Sequence, residues 1–137
     1  MNFKDKIVLI TGAGSGIGRK ASIMFAEKRA KVAVNDIIPG KGQETVNLIK
    51  NNGGDAVFIQ GDVSSITDTE KIVADTVQVF GGLHVLVNNA GIVPSGKVED
   101  VSEEVFERTI RINLKGPFFL AKYAVPVMKK NGGGVIV

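Results

Sequence analysis

The chain has 137 residues, of which 44% are hydrophobic and 23% are charged, and these proportions are ordinary for one globular domain. Its net charge of +3 comes from basic residues scattered among acidic ones, without the clustered basic and aromatic surface that nucleic-acid binding needs. No apolar stretch approaches the ~20 residues that cross a bilayer. The absence of cysteine excludes disulfides and thiolate metal sites, and it fits the reducing cytoplasm. From charge, apolar runs and cysteine content together, we expect a cytoplasmic protein without nucleic-acid or membrane partners.

Short apolar runs alternate along the chain with segments whose apolar residues recur at helical spacing. The predicted strands cover residues 6–11, 31–36, 56–60, 84–87 and 135–137. The predicted helices cover residues 16–29, 41–51, a segment capped by Thr67 or Asp68 that ends at Phe80, and a stretch from an N-cap at Ser102 to about residue 130. Pro39 and Gly40 are expected to form a turn.

This alternation of strands and helices with short connections predicts an α/β fold. Because crossovers between parallel strands are right-handed, a doubly wound parallel sheet of the Rossmann type is favoured, with helices on both faces. We expect a single domain over residues 1–137, and we expect the chain to stop within its fifth strand.

A glycine-rich segment, TGAGSGIG over residues 11–18, lies between the first predicted strand and the first predicted helix. Glycine permits a sharp turn and a close backbone approach, and the helix N-terminus offers unpaired N–H groups to a pyrophosphate. The glycine spacing is G-x-x-x-G-x-G rather than G-x-G-x-x-G, and no Gly-Lys-Ser/Thr ending indicates a nucleoside triphosphatase. The alternative is a flexible strand–helix turn that binds nothing.

Asp36 closes the second predicted strand, 20 residues after Gly16. A carboxylate at this point accepts hydrogen bonds from the hydroxyls of an adenosine ribose and repels a 2′-phosphate. Positions 37 and 38 are both isoleucine and residue 15 is serine, so no basic side chain compensates that repulsion. The pattern favours NAD over NADP, the alternative being a solvated aspartate in a turn.

Four motifs in order make the chain resemble the short-chain dehydrogenase/reductase family. They are the TGxxxGxG loop, Gly61-Asp62-Val63 after the third predicted strand, Asn88-Asn89-Ala90-Gly91 after the fourth, and Asn113 in the long helix. The resemblance covers the whole chain. It implies an enzyme that transfers a hydride between a nicotinamide cofactor and a small alcohol or carbonyl substrate, and a homo-oligomer formed through the long helix.

The resemblance also implies a role for each matching residue. Asp36 would hold the adenosine ribose, Asp62 and Val63 would contact the adenine, and Asn113 would be the one catalytic residue present. Two further groups would line the cofactor site. The pyrophosphate would be surrounded by Gly12, Ser15, Gly16, Ile17 and Gly18, and the cleft beside the central strand would be lined by Asn89, Ala90 and Gly91.

Asn113 is followed four residues later by Pro117 within the predicted helix. Proline has no N–H, so the carbonyl of Asn113 loses its helical partner and the helix should kink there. We expect that carbonyl to be available to a water molecule, which in the family connects to a catalytic lysine. The alternative is that Gly116 and Pro117 only bend the helix around the core.

The rest of the family's catalytic set, a serine and a Tyr-x-x-x-Lys pair, has no counterpart in these 137 residues. The single tyrosine, Tyr123, has Val127 four residues later and is expected to be a packing residue. His84 lies at the start of its strand, away from the strand ends where such sheets bind ligands, and is expected to be structural. No residue grouping has metal-ligand spacing.

Three functions are therefore weighed. The first is an NAD-dependent oxidoreductase, of which this chain supplies the cofactor-binding part and which is inactive without the missing residues. The second is a stand-alone module that binds NAD without turnover. The third is an interaction fragment with a vestigial site, which the glycine loop and Asp36 disfavour.

Overall fold

The computed structural model describes residues 3–137. Its strands are β1 (Ile7–Ile10), β2 (Lys31–Asp36), β3 (Asp55–Gln60), β4 (Val85–Val87) and β5 (Val135–Ile136). Its α-helices are α1 (Gly16–Glu27), α2 (Pro39–Asn51), α3 (Ile66–Phe80), α4 (Glu103–Ile110) and α5 (Gly116–Lys130). A 3₁₀ turn covers Val98–Asp100, and a π-helical turn over Arg111–Lys115 joins α4 to α5.

The five strands form one sheet in the order β3-β2-β1-β4-β5, with every neighbouring pair parallel. The chain runs outward from β1 through β2 to β3 and then returns to place β4 on the other side of β1. The strand order therefore reverses at β1, and the loops after β1 and β4 leave the same edge beside each other. In open α/β sheets, ligands bind at this point. The predicted doubly wound fold is confirmed.

Helices cover both faces of the sheet, and successive residues of a strand point alternately to one face and the other. On one face, Val8 and Ile10 of β1 lie in a cluster with buried residues of α2, among them Val46 and Ile49. On the other face, Leu9 packs in a cluster with α3 and α5 residues: Ile72, Val73, Leu120, Ala124 and Met128. The continuous apolar runs of the sequence are explained by this burial on two sides.

Two predicted helix starts are wrong. Pro39 is not in a turn before α2 but is its first residue, where a proline loses nothing because that N–H has no helical partner. Helix α3 is capped by Ser65 rather than by Thr67 or Asp68, and its hydroxyl oxygen accepts a hydrogen bond from Asp68 N at 3.2 Å. Asp68 also accepts from the Ser65 hydroxyl, so the two residues form a reciprocal cap.

The predicted long helix from Ser102 to about residue 130 is divided. Ser102 caps α4 as predicted, since its hydroxyl oxygen accepts a hydrogen bond from Val105 N at 3.3 Å. The π-helical turn over Arg111–Lys115 includes Asn113 and ends two residues before Pro117. Helix irregularity thus occurs where the missing N–H of Pro117 predicts it, in the form of a widened turn. The hydration of the Asn113 carbonyl stays a prediction.

Within residues 3–137, no helix is both long and apolar enough to span a membrane.

Candidate cofactor site at the carboxyl edge of the sheet

The glycine loop connects β1 to α1 in a conformation that requires glycine at two positions. Gly12 and Gly16 have φ angles of 60° and 54°, in the left-handed region that favours glycine. Gly12 also lies against the loop after β4, where a Cβ atom would come within 2.9 Å of the Ala90 Cα. Any larger residue at position 12 would push these two loops apart.

The inner part of the loop is held by neighbouring elements. Ala13 N donates to the Asn35 carbonyl at 2.8 Å, and the Ala13 carbonyl accepts from the buried hydroxyl of Thr45 at 3.0 Å. The Gly14 carbonyl accepts from Arg19 Nε at 3.0 Å. Ala13 and Gly14 therefore have their backbone polar groups satisfied within the protein.

The outer part of the loop, at the start of α1, has backbone N–H groups without acceptors among residues 3–137. In the described chain, the N–H groups of Gly16, Ile17 and Gly18 donate to no backbone or side-chain acceptor. They begin α1, and the first N–H groups of a helix have no partner inside the helix. Together with the helix dipole they form a site suited to an anion such as a pyrophosphate.

Asp36 lies at the end of β2 and is 9% exposed. Its Oδ2 accepts a hydrogen bond from Gly14 N at 2.8 Å, and its Oδ1 accepts from Ile38 N at 2.9 Å. Because a carboxylate oxygen can accept two hydrogen bonds, each oxygen of Asp36 still has a lone pair for a ligand hydroxyl. The carboxylate is thus oriented by two backbone N–H groups and joined directly to the glycine loop.

Thr11 links the loop after β1 to the loop after β4, a role that its sequence position did not reveal. It is 1% exposed, and its Oγ1 accepts hydrogen bonds from Asn89 N at 3.1 Å and Ala90 N at 3.0 Å. In return, the Asn89 amide nitrogen donates to the carbonyls of Thr11 at 2.9 Å and Gly12 at 3.1 Å. These bonds fix the wall of the cleft beside the central strand.

Asp62 and Val63 follow β3 at the same edge. Asp62 Oδ1 accepts from Ser64 N at 2.8 Å, and Asp62 N donates to Asp68 Oδ2 at 2.9 Å. Val63 is nearly buried, and a Cβ atom at Gly116 would lie only 2.6 Å from its carbonyl oxygen. The start of α5 therefore packs directly on this loop.

Asn113 uses its side chain to hold the segment after Gly91. Its Oδ1 accepts from Ile92 N at 2.9 Å, and its Nδ2 donates to the Ile92 carbonyl at 2.7 Å. This reciprocal pair connects the π-helical turn to the loop after β4.

These loops enclose a cavity of 580 Å³. Ten of the twelve residues predicted for the site line it: Gly12, Ser15, Gly16, Ile17, Asp36, Asp62, Val63, Asn89, Ala90 and Gly91. The other two lie behind the wall, Gly18 against the Gly12 carbonyl and Asn113 against Ile92. Eight lining residues were not predicted: Asn35, Ile37, Gly61, Ser64, Ile92, Arg108, Arg111 and Ile112.

His84 and Tyr123 lie outside this cavity. His84 Nδ1 accepts a hydrogen bond from Ile7 N at 3.1 Å at the opposite edge of the sheet. Burial, and secondarily the positive charge of Lys6, lower the pKa of His84 from its ordinary value. Tyr123 is partly buried against the cluster between the sheet, α3 and α5. Within residues 3–137, no group of three or more His, Asp or Glu side chains is arranged to hold a metal ion.

The comparison with known families agrees with the geometry. The family model described as short chain dehydrogenase matches residues 6–137. The chain belongs to this family. The resemblance predicted from the four motifs is thereby confirmed.

Two relatives show how far the similarity extends. The chain is 64% identical over 137 residues to an uncharacterized oxidoreductase of Thermotoga maritima, covering 100% of this chain and 54% of that protein. It is 43% identical over 128 residues to versicolorin reductase 1 of Aspergillus parasiticus, covering 93% of this chain and 49% of that protein. The chain spans about half the length of these short-chain dehydrogenase relatives.

A solved structure is similar over nearly the whole chain. The hydroxysteroid dehydrogenase of Escherichia coli has a TM-score of 0.95 at 34% sequence identity, covering 98% of this chain and 57% of that one. The fold of this chain therefore matches that of the solved enzyme over 98% of its length.

The hydrogen bonds to Thr11 make the cleft wall sensitive to a small substitution. Thr11→Val keeps the side-chain shape but leaves the N–H of Ala90 without its acceptor, and it leaves Asn89 N with only the Val87 carbonyl, at 3.0 Å. We expect the free energy of unfolding to fall by about 1–3 kcal/mol, as for buried donors that lose a partner. Urea denaturation measures this change. Thr11→Ser retains the hydroxyl and is the matched control, and equal stability of the valine and serine variants would contradict this role.

Proposed function

We propose that the cavity binds NAD and that this chain is the cofactor-binding part of an NAD-dependent oxidoreductase. The observation that carries the proposal is the convergence of two features on one cavity, the free N–H groups of Gly16 and Ile17 and the oriented carboxylate of Asp36. The first suits a pyrophosphate and the second suits the hydroxyls of an adenosine ribose.

Each predicted residue keeps its proposed role on this basis. Gly12, Ser15, Gly16, Ile17 and Gly18 hold the pyrophosphate through backbone groups, while Asp62 and Val63 contact the adenine. The loop of Asn89, Ala90 and Gly91 supports the cofactor beside the central strand. Asn113 orients that loop through Ile92 and belongs to the catalytic set. The bound nicotinamide supplies the hydride exchange with an alcohol or carbonyl substrate.

NAD is proposed over NADP because the Asp36 carboxylate places negative charge where a 2′-phosphate would lie. The next two residues, Ile37 and Ile38, supply no positive charge to offset it. The carboxylate is also nearly buried, where repulsion between like charges is screened less than at an exposed site.

The cofactor preference is tested by replacing Asp36 with asparagine. We expect Asp36→Asn to weaken NAD binding about tenfold, since charge-assisted hydrogen bonds to the ribose are lost, and to narrow the difference between NAD and NADP. Calorimetric titration of the native chain and the variant with both cofactors measures this. Asp55→Asn, an exposed aspartate at the amino end of β3, is the charge-matched control. Equal affinity of the native chain for NAD and NADP would contradict the proposal.

A second prediction concerns turnover. The 137 residues contain one tyrosine and no Tyr-x-x-x-Lys pair, so the chain lacks the acid–base group that family members use. We expect it to bind the cofactor and yet to produce no change in nicotinamide absorbance with NAD and alcohols or with NADH and carbonyl compounds. Tyr123→Phe is the control, and it should leave both binding and background unchanged. Turnover above the blank that Tyr123→Phe abolishes would overturn the assignment of Tyr123 to packing.

Self-association is proposed from the exposed face of α4 and α5. Phe106, Ile110, Leu114 and Phe118 recur every four residues, and Phe106, Leu114 and Phe118 are 56%, 62% and 64% exposed. Large exposed apolar side chains in a row mark interaction surfaces. We expect concentration-dependent dimers in sedimentation velocity, and we expect the Phe106→Glu/Phe118→Glu variant to remain monomeric. A native chain that stays monomeric at all concentrations would show that this face has no such role.

A further inference from the structure

The cavity is lined by two arginines to which no motif of the chain assigns a role. Arg108 lies in the last turn of α4, and Arg111 begins the π-helical turn three residues later. Residues three apart on a helical segment face the same side. Both side chains are exposed, and both contribute to the cavity wall.

Within the part of the chain that the structure describes, neither guanidinium group has an ion-pair or hydrogen-bond partner. Among residues 3–137, the ion pairs are Arg19 with Glu44 and Lys71 with Asp75. Glu104 and Glu107 lie one turn before the two arginines, yet neither forms an ion pair with them. The side chains of Arg108 and Arg111 also donate no hydrogen bond within the described part of the chain.

The rest of the cavity wall carries no other full positive charge, since Arg108 and Arg111 are the only basic residues among its lining. Arg19, the basic residue of α1 that bonds to the glycine loop, is already bound to the Gly14 carbonyl, Thr45 and Glu44. The loop offers a phosphate only N–H groups and a helix dipole. Meanwhile Asp36 and Asp62 place two carboxylates in the same wall.

We infer that Arg108 and Arg111 recruit the cofactor, their unpaired guanidinium groups attracting the phosphates of an incoming dinucleotide into a cleft whose other charged groups are acidic. The inference rests on the proposed dinucleotide function and adds the residues that govern capture. Charges of one sign at the mouth of a cleft concentrate an oppositely charged ligand and raise its association rate.

The test compares association rates of NADH by stopped-flow fluorescence over a range of salt concentrations. We expect Arg108→Gln/Arg111→Gln to lower the rate constant at low salt by about tenfold and to flatten its dependence on ionic strength. NAD should show a smaller effect than NADH, because its nicotinamide ring is positively charged. Adenosine, which has no phosphate, should bind both proteins equally.

Two further variants separate a role in capture from a change in net charge or folding. Lys129→Gln/Lys130→Gln removes the same charge at the far, exposed end of α5 and should leave the rate nearly unchanged. Arg108→Lys/Arg111→Lys keeps the charge and should restore both the rate and the salt dependence.

The experiment distinguishes failure of this inference from failure of the proposed function. An unchanged rate in the glutamine pair, an equal loss in the Lys129/Lys130 control, or no rescue by the lysine pair would each overturn the inference while leaving the dinucleotide site in place. Failure of the native chain to bind NADH at all would overturn the proposed function, and the inference with it.

Discussion

The hydrogen bond from Gly14 N to the Asp36 carboxylate joins the glycine loop to the end of β2, and the geometry of the cavity depends on it. The two residues are 22 positions apart in the chain. On its other side, the Gly14 carbonyl is held by Arg19, so the peptide groups flanking Gly14 are oriented from two directions. A loop immobilised in this way presents the N–H groups of Gly16 to Gly18 without further ordering, which reduces the entropic cost of binding.

The same bond explains why a single carboxylate serves two purposes. Asp36 accepts from the protein backbone on both oxygens and keeps the remaining lone pairs for a ligand. Removing its charge therefore alters the loop as well as the ribose site. The matched measurement of NAD and NADP separates these effects, because a disturbed loop weakens both cofactors whereas a lost charge changes their ratio.

The fold and most of the cavity lining could be predicted from the sequence because the sequence patterns that indicate them are local. A buried strand, a glycine cluster and a helix follow one another within residues 6–29, and Asp36 closes the next strand. Thr11 was missed because its hydroxyl acts on residues almost 80 positions away, a contact that only the sheet order creates. The Ser65 cap was missed because Thr67 and Asp68 are equally good capping types, and the choice depends on where the backbone leaves β3.

The place of Arg108 and Arg111 in the cavity wall could not be predicted from the sequence for a related reason, which is the division of the long helix. Helix α5 is anchored by its buried residues Gly116, Leu120, Ala124 and Met128, whereas α4 has no buried residue. The π-helical turn joins the packed part to the part that lies over the cleft. The sequence indicated an interruption near Pro117, but the direction in which α4 then runs depends on the packing of Gly116 against Val63. Because α4 runs in this direction, its two exposed arginines form part of the cavity wall.

The charges of the wall consequently have different ranges of action. In the proposed function, Asp36 acts at short range, where its fixed orientation would favour a ribose hydroxyl over a phosphate. In the inferred capture step, Arg108 and Arg111 would act over a distance of about one Debye length, ~8 Å at physiological ionic strength, before any specific contact forms. Selectivity against a 2′-phosphate and attraction of a pyrophosphate are opposite electrostatic demands on one cavity. The two proposed roles are compatible because the acidic group is nearly buried and bound to the loop, whereas the basic groups are exposed and have no partner among residues 3–137.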